Sequence, residues 1–330
     1  MNRLSRNQRL CQSLALIGMA GVVASAQLSF ADDQPVAPVD QVTAQAEGGV
    51  VAPAVDVNPS ITLKGSVWRT KPGIAFLKTP IGLLTLSSKT TLKDFRASQD
   101  VSFRVHETHL AVDIRKRTDG SLVHRYLGGP ITRSTGDEKT LIRWTPEGEK
   151  SFHLGTLEQR LADFHDGDVV TVEVDDTDTV IGVHDLQFDL QIGQIPVDGS
   201  DAHLLLTGTI SKLKSNFIFF RTPVGVVNVN AKIGIRNVKV GQTMTLHMHE
   251  EHLVADVSDP NATAPMRRFI TGPLEFASPD HTSVRLWTPD GEQVYPTDRL
   301  KAALAGVKEG TPITVELNGQ GNLVGFHRLD

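Results

Sequence analysis

Residues 63–187 recur at residues 206–330, displaced by 143 positions without a gap, with 33 identities over the 125 aligned positions. Leu63-Lys64-Gly65 returns as Leu206-Thr207-Gly208, and Lys78-Thr79-Pro80-Ile81-Gly82 as Arg221-Thr222-Pro223-Val224-Gly225. His106-Glu107-Thr108-His109-Leu110 returns as His249-Glu250-Glu251-His252-Leu253, and Trp144-Thr145-Pro146 as Trp287-Thr288-Pro289. A repeat at fixed displacement settles the organisation of a chain before any secondary structure is assigned. It names no reaction.

The segment ahead of the repeats reads as an export signal. Arg3, Arg6 and Arg9 form a basic start, Leu14 to Ala24 is an apolar run, and small-x-small cleavage sites end at Ala26 and Ala31. A membrane-spanning helix needs roughly 20 apolar residues, and this run is shorter; no other stretch is long and apolar enough. The expectation is a signal peptide over residues 1–31, cleaved after Ala26 or Ala31, and a periplasmic or secreted bacterial protein. The only cysteine, Cys11, falls inside this signal. The mature chain then has no disulfide, thiol nucleophile or thiolate metal site. Removing residues 1–31 takes away three arginines and no acid, leaving 33 − 3 = 30 basic against 38 acidic residues, a net −8. An acidic chain poor in aromatics lacks the basic footprint of a nucleic-acid binder.

Residues 32–59, rich in Ala, Val, Pro, Gln and Asp and without periodicity, read as a disordered linker. A second linker over 188–204 carries Pro196, Gly199 and Ser200. The two copies, 60–187 and 205–330, each divide again. Thr-Pro-x-Gly occurs at Thr79, Thr145, Thr222 and Thr288, each time between apolar strand-like runs, and its Pro and Gly suit a tight hairpin turn. Sub-units of about 63–126, 127–187, 206–269 and 270–330 follow. A short helical stretch comes after two of the hairpins, since Leu157, Leu161 and Phe164 share one helix face, as do Leu300, Leu304 and Val307. Val170-Thr171-Val172-Glu173-Val174 and Met244-Thr245-Leu246-His247-Met248 alternate as half-buried strands do. The fold class predicted is all-β: four five-stranded barrels in OB-fold order, arranged as two pairs, with short helices between the third and fourth strands.

With its Gly-led strands, Thr-x-x-Gly hairpins and the segment Gly167-Asp168-Val169-Val170-Thr171-Val172-Glu173, the chain resembles small β-barrel domains of exported bacterial proteins. The resemblance covers most of residues 60–330. It implies a fold and brings no chemistry.

The most chemical-looking segment is Leu246-His247-Met248-His249-Glu250-Glu251-His252. On a strand, His247 and His249 share a face about 7 Å apart, the one opposite Met244, Leu246 and Met248. With His252 and Glu250 they form a candidate site for Zn, Cu or Ni, and His106 with His109 is its counterpart in the first copy. The competing expectation is a solvated polar strand face, which Arg104 in place of His247 supports. His184 and His327 also match and read as surface residues. Trp144, Trp287, Phe217 and Phe220 are candidates for an interaction surface, against a packing role. Arg125 and Arg268 read as ion-paired or solvated. No catalytic motif is recognisable. The sequence therefore points to a non-catalytic binding protein without cofactor, its partner an envelope protein or polymer. A histidine-based metal-binding protein is the alternative, and a metal-dependent hydrolase the third reading.

Overall fold

The computed structural model describes residues 58–329 apart from Thr91, Lys93, Asp94, Thr135 and Thr263. The signal peptide and nearly all of the first linker lie outside the described residues. In the first copy the strands are β1 (Ser60–Lys71), β2 (Ile74–Thr79), β3 (Gly82–Ser87), β4 (Asp100–His106), β5 (His109–Arg115), β6 (Leu122–Pro130), β7 (Thr132–Ser134), β8 (Asp137–Thr145), β9 (Gly148–His153), β10 (Val169–Val174) and β11 (Val180–His184). Then comes β12 (Gln187–Ile192). The second copy supplies β13 (His203–Lys214), β14 (Phe217–Thr222), β15 (Gly225–Asn230), β16 (Thr243–His249), β17 (His252–Ser258), β18 (Arg267–Pro273), β19 (Glu275–Phe276), β20 (Ser283–Thr288), β21 (Gly291–Pro296), β22 (Pro312–Asn318) and β23 (Leu323–Arg328). The protein is all-β, with helix confined to short pieces such as α1 (Glu158–Leu161) and α2 (Lys301–Leu304). Among the described residues no helix is long and apolar enough to cross a membrane.

The Thr-Pro-x-Gly hairpins have one construction. In each, the threonine hydroxyl donates to the glycine carbonyl three residues on: Thr79 to Gly82 at 3.0 Å, Thr145 to Gly148 at 2.6 Å, Thr222 to Gly225 at 2.8 Å and Thr288 to Gly291 at 2.7 Å. The four glycines have φ between +103° and +145°, a region closed to most side chains. The motif recurs because the turn needs both a hydroxyl to close it and a residue without Cβ.

The long first strand of each copy bends. β1 pairs with β4 through Ser60–Ser66 and with β2 through Ser66–Lys71, its register slipping between Val67 and Arg69. β13 does the same with β16 and β14, slipping between Ile210 and Lys212. One extra residue lets a strand turn from one neighbour to another.

The copies meet along β1 and β13, which pair antiparallel as Ser60 with Leu205, Ile61 with Leu204 and Thr62 with His203. Ile61 and Leu204 occupy the same position in their copies, so the contact is self-complementary, as at a two-fold axis. On the far side β12 lies between β3, antiparallel to it, and β15, parallel to it, with Leu190 opposite both Leu84 and Val227. Leu84 and Val227 are again equivalent positions. The pairings thus run in a closed circuit through β1, β2, β3, β12, β15, β14 and β13.

Two expectations change here. The stretch 188–204 is not merely a linker, because residues 187–192 form a strand whose Leu190 and Ile192 are fully buried. The cores also do not follow the copies one by one. One core, from Ile61 to Phe269, joins the first half of both copies. Each second half keeps its own smaller core, around Phe152 and Leu161 in the first copy and around Val284 and Leu304 in the second. Strand β12 drives this grouping by supplying an apolar face to β3 and β15 together.

Candidate binding site

The site is built on the outer face of the central strands. Alternation buries Val105, Met248 and Leu204 and turns His106, His249 and His203 outward. Across neighbouring strands His203 stands opposite His249, and His249 opposite His252. In the first copy Ser60, His106 and His109 form the equivalent row.

A tryptophan from the hairpin above covers each row. Trp144 on β8 has its ring 5.5 Å from that of His106 and 6.0 Å from that of His109. Trp287 on β20 lies 5.3, 5.8 and 5.6 Å from His247, His249 and His252, and His203 stands 5.8 and 5.9 Å from His247 and His249. The histidines can lie this close to the sheet because of Gly129 and Gly272. A Cβ at these positions would come within 2.8 Å of the His109 ring and 2.6 Å of the His252 ring. Histidine, tryptophan and glycine match between the copies because each makes room for the next.

An arginine fixes the covering hairpin. Buried Arg125 bonds to both carboxylate oxygens of Asp113, at 2.5 and 2.8 Å, and to both of Glu147, at 2.8 and 2.9 Å. Burial alone would lower the Arg125 pKa, but its bonds to Asp113 and Glu147 outweigh that and raise it. The same bonds pull Glu147 down to about 2. In the second copy Arg268 holds Asp256 at 2.7 and 2.9 Å and approaches Asp290 at 3.6 Å. The matched arginines therefore act as ties between sheet and hairpin, as ion pairing predicted.

The cluster around Trp287 disfavours protonation. His203 and His247 are held below the ordinary 6.5, first by burial and then by neighbouring imidazoles. His252 is lowered by burial, against the opposing pull of Glu251 and Glu250. As a metal centre the arrangement is poor. Among the described residues no three His, Cys, Asp or Glu side chains gather around a point where an ion would sit. His247, His249 and His252 are directed at an indole ring, and exposed Glu250 is 3.8 Å from His249. His106 and His109 likewise meet Trp144. The hydrolase reading needed the same convergence.

Beside His109 a cleft of about 680 Å³ opens between the copies. The first copy contributes Leu110, Gly129, Val169 and Leu186 to it, and the second contributes the turn Pro223–Val226. Within this wall His109 Nδ1 is buried and has no hydrogen-bond partner among the described residues. An orphaned polar atom of this kind costs about 1–3 kcal/mol.

Of the other aromatic candidates, Phe217 is half-buried beside Phe219 at 6.3 Å. Phe220 is fully buried in the central core and forms no surface, because it takes the inward side of β14. His184 is not a surface residue either. Its Nε2 lies 2.8 Å from Glu173 Oε2, and His124 Nδ1 lies 2.8 Å from Glu173 Oε1. The equivalent His327 meets Arg236 instead, at 2.6 Å. Sequence reasoning missed His203, which lies three residues ahead of the aligned stretch, and the cleft, which no single segment encodes. Compared with known proteins, the sequence matches no family and resembles no curated protein.

Proposed function

We propose that this chain is a non-catalytic binding protein, exported from the cell, that holds its ligand in the cleft beside His109. One observation carries the reading: an open cleft of about 680 Å³ lined by both copies, with His109, which also packs against Trp144, in its wall. A concave, mostly apolar site with a few polar groups is where small ligands and chain segments are held. The duplicated His–Trp faces extend the surface available to a repetitive envelope partner, and two related faces on one chain raise avidity.

The scaffold fits four small units of OB order. In each copy the bent first strand pairs with both the second and the fourth. In the second unit His153 and Thr179 form a parallel bridge between its third and fifth strands, the contact that closes such a barrel. This architecture supplies surfaces rather than reactive groups.

Arrayed glycans and peptides, followed by calorimetry on the hits, test the reading. Val169 is 74% exposed on the cleft lip, so Val169→Arg should leave folding intact while weakening a cleft ligand at least about tenfold. Ligands that bind Val169→Arg as well as the parent chain would place binding elsewhere and remove the proposal.

A further inference from the structure

The second copy has a cleft in the corresponding place, and there a segment of the chain itself forms one wall. Equivalent residues line the two: Thr108, Val169 and Leu186 in the first correspond to Glu251, Pro312 and Leu329 in the second. The second cleft, about 500 Å³, is lined as well by Gly193–Asp198, the segment that leaves β12. Its amides at Gly193 and Gln194 donate to the Ile81 carbonyl at 2.9 and 3.3 Å. The Gln194 side chain donates to Pro80 at 2.8 Å. Pro196 is buried, and Ile195 packs against the central core. Gly193 and Gln194 thus tie the segment to the Thr-Pro-x-Gly turn of the first copy, and Ile195-Pro196-Val197 continues from there along the second cleft.

In the first cleft the equivalent turn itself lines the wall, beside Leu186–Asp189. Pro223 and Val224, equivalent to Pro80 and Ile81, form one wall. Among the described residues no group donates to the Val224 carbonyl, whereas the Ile81 carbonyl takes two bonds. Val169, Leu186 and Phe188 offer apolar contact beside the His109 side chain. Glu107 and Asp189 stand on the rim, so a neutral or basic segment suits it better than an acidic one.

We propose that the cleft of the first copy binds an extended peptide segment carrying a proline between branched apolar residues, in the manner of Ile195-Pro196-Val197. Val224 accepts a backbone amide of the peptide, and the proline ring enters among Val169 and Leu186. Proline pre-orders such a segment and lowers the entropy lost on binding. This assignment rests on reading the cleft as the binding site.

The test uses the full chain and a labelled peptide of residues 192–199, with Asp198→Lys and Pro196→Ala versions of the peptide. Fluorescence anisotropy should show saturable binding, strongest for the Asp198→Lys peptide, with Pro196→Ala weakening it at least about fivefold and Val169→Arg in the protein at least about tenfold. Absence of binding, or indifference to Pro196→Ala, overturns the peptide assignment. If the peptides fail while an arrayed glycan binds and Val169→Arg blocks it, the cleft remains the site and only its ligand class was wrong. If neither binds, both readings fall. A full-length variant with residues 52–57 replaced by Gly and Ser closes the remaining route. Peptide binding by that variant alone assigns the cleft to the chain's own leading segment and overturns a separate partner.

Discussion

Ile61 of the first copy stands directly opposite Leu204 of the second, the same position 143 residues on, and both are fully buried in one core. The repeat therefore is not two independent beads. Leu204→Ala should cost about 2–5 kcal/mol, the usual range for a leucine truncated in a packed core. Because the core belongs to both copies, urea unfolding followed by tryptophan emission and by far-ultraviolet dichroism should shift as one transition. Ile61→Ala combined with Leu204→Ala should cost less than the two separately, since touching residues share one cavity. Two resolved transitions, with only one moved by Leu204→Ala, would show that the copies fold apart.

Acid should weaken the protein in two steps. His203, His247 and His252 are held below 6.5, chiefly because burial disfavours the imidazolium. As pH falls past 6.5 the unfolded chain takes up protons before the folded one, so stability is full above that point and declines beneath it. Glu173 acts lower. Burial alone would raise its pKa, but the His184 bond and the His124 contact outweigh this and hold it below the ordinary 4.5. Its contribution is present above 4.5 and lost as pH drops through the folded value. Melting temperatures measured from pH 8 to about pH 3 should fall first below about 6.5 and again below about 4.5. His247→Gln should flatten that first decline and leave the second.

Arg143 makes the copies differ in a way that invites repair. Only 2% exposed, its guanidinium donates to the carbonyls of Gly129, Pro130 and Val170, and among the described residues it has no carboxylate partner and its Nε is unbonded. Burial pushes its pKa down to about 10. The second copy has Leu286 at this position, 4% exposed in its core. Burying a guanidinium costs several kcal/mol, which three carbonyl bonds offset only in part. Arg143→Leu should therefore raise stability by about 1 kcal/mol, read from urea midpoints. A loss above about 2 kcal/mol would mean that the orphaned carbonyls dominate.

The strands were legible wherever one face is wet, because alternation in Val170–Val174 and Met244–Met248 records which side is buried. It does not record against what. Gln187-Phe188-Asp189-Leu190-Gln191-Ile192 alternates too, yet the Pro, Gly and Ser after it read as a linker, and so the strand that joins the copies was invisible. Phe220 was misplaced for a related reason: its neighbours give its side of the strand but not which side is core. The histidines at 106, 109, 249 and 252 stood out because folding did not obviously require them. The structure supplies part of the requirement, since each row must fit under a tryptophan and over a glycine.

That stacking order gives the sharpest local prediction. Gly129 has φ +147°, and a Cβ there would lie 2.8 Å from the His109 ring; at Gly272 the distance to the His252 ring is 2.6 Å. Gly272→Ala must push the imidazole outward against Trp287, since the sheet behind it cannot yield. Overpacking of this kind costs about 1–3 kcal/mol. Gly129→Ala should cost more, because it adds the backbone conformation that L side chains resist. If His252 leaves the indole, the tryptophan emission of Gly272→Ala should change less between pH 8 and pH 5 than that of the parent chain. An unaltered pH response with full stability would mean that the glycine is incidental and that the histidine holds its place by other contacts.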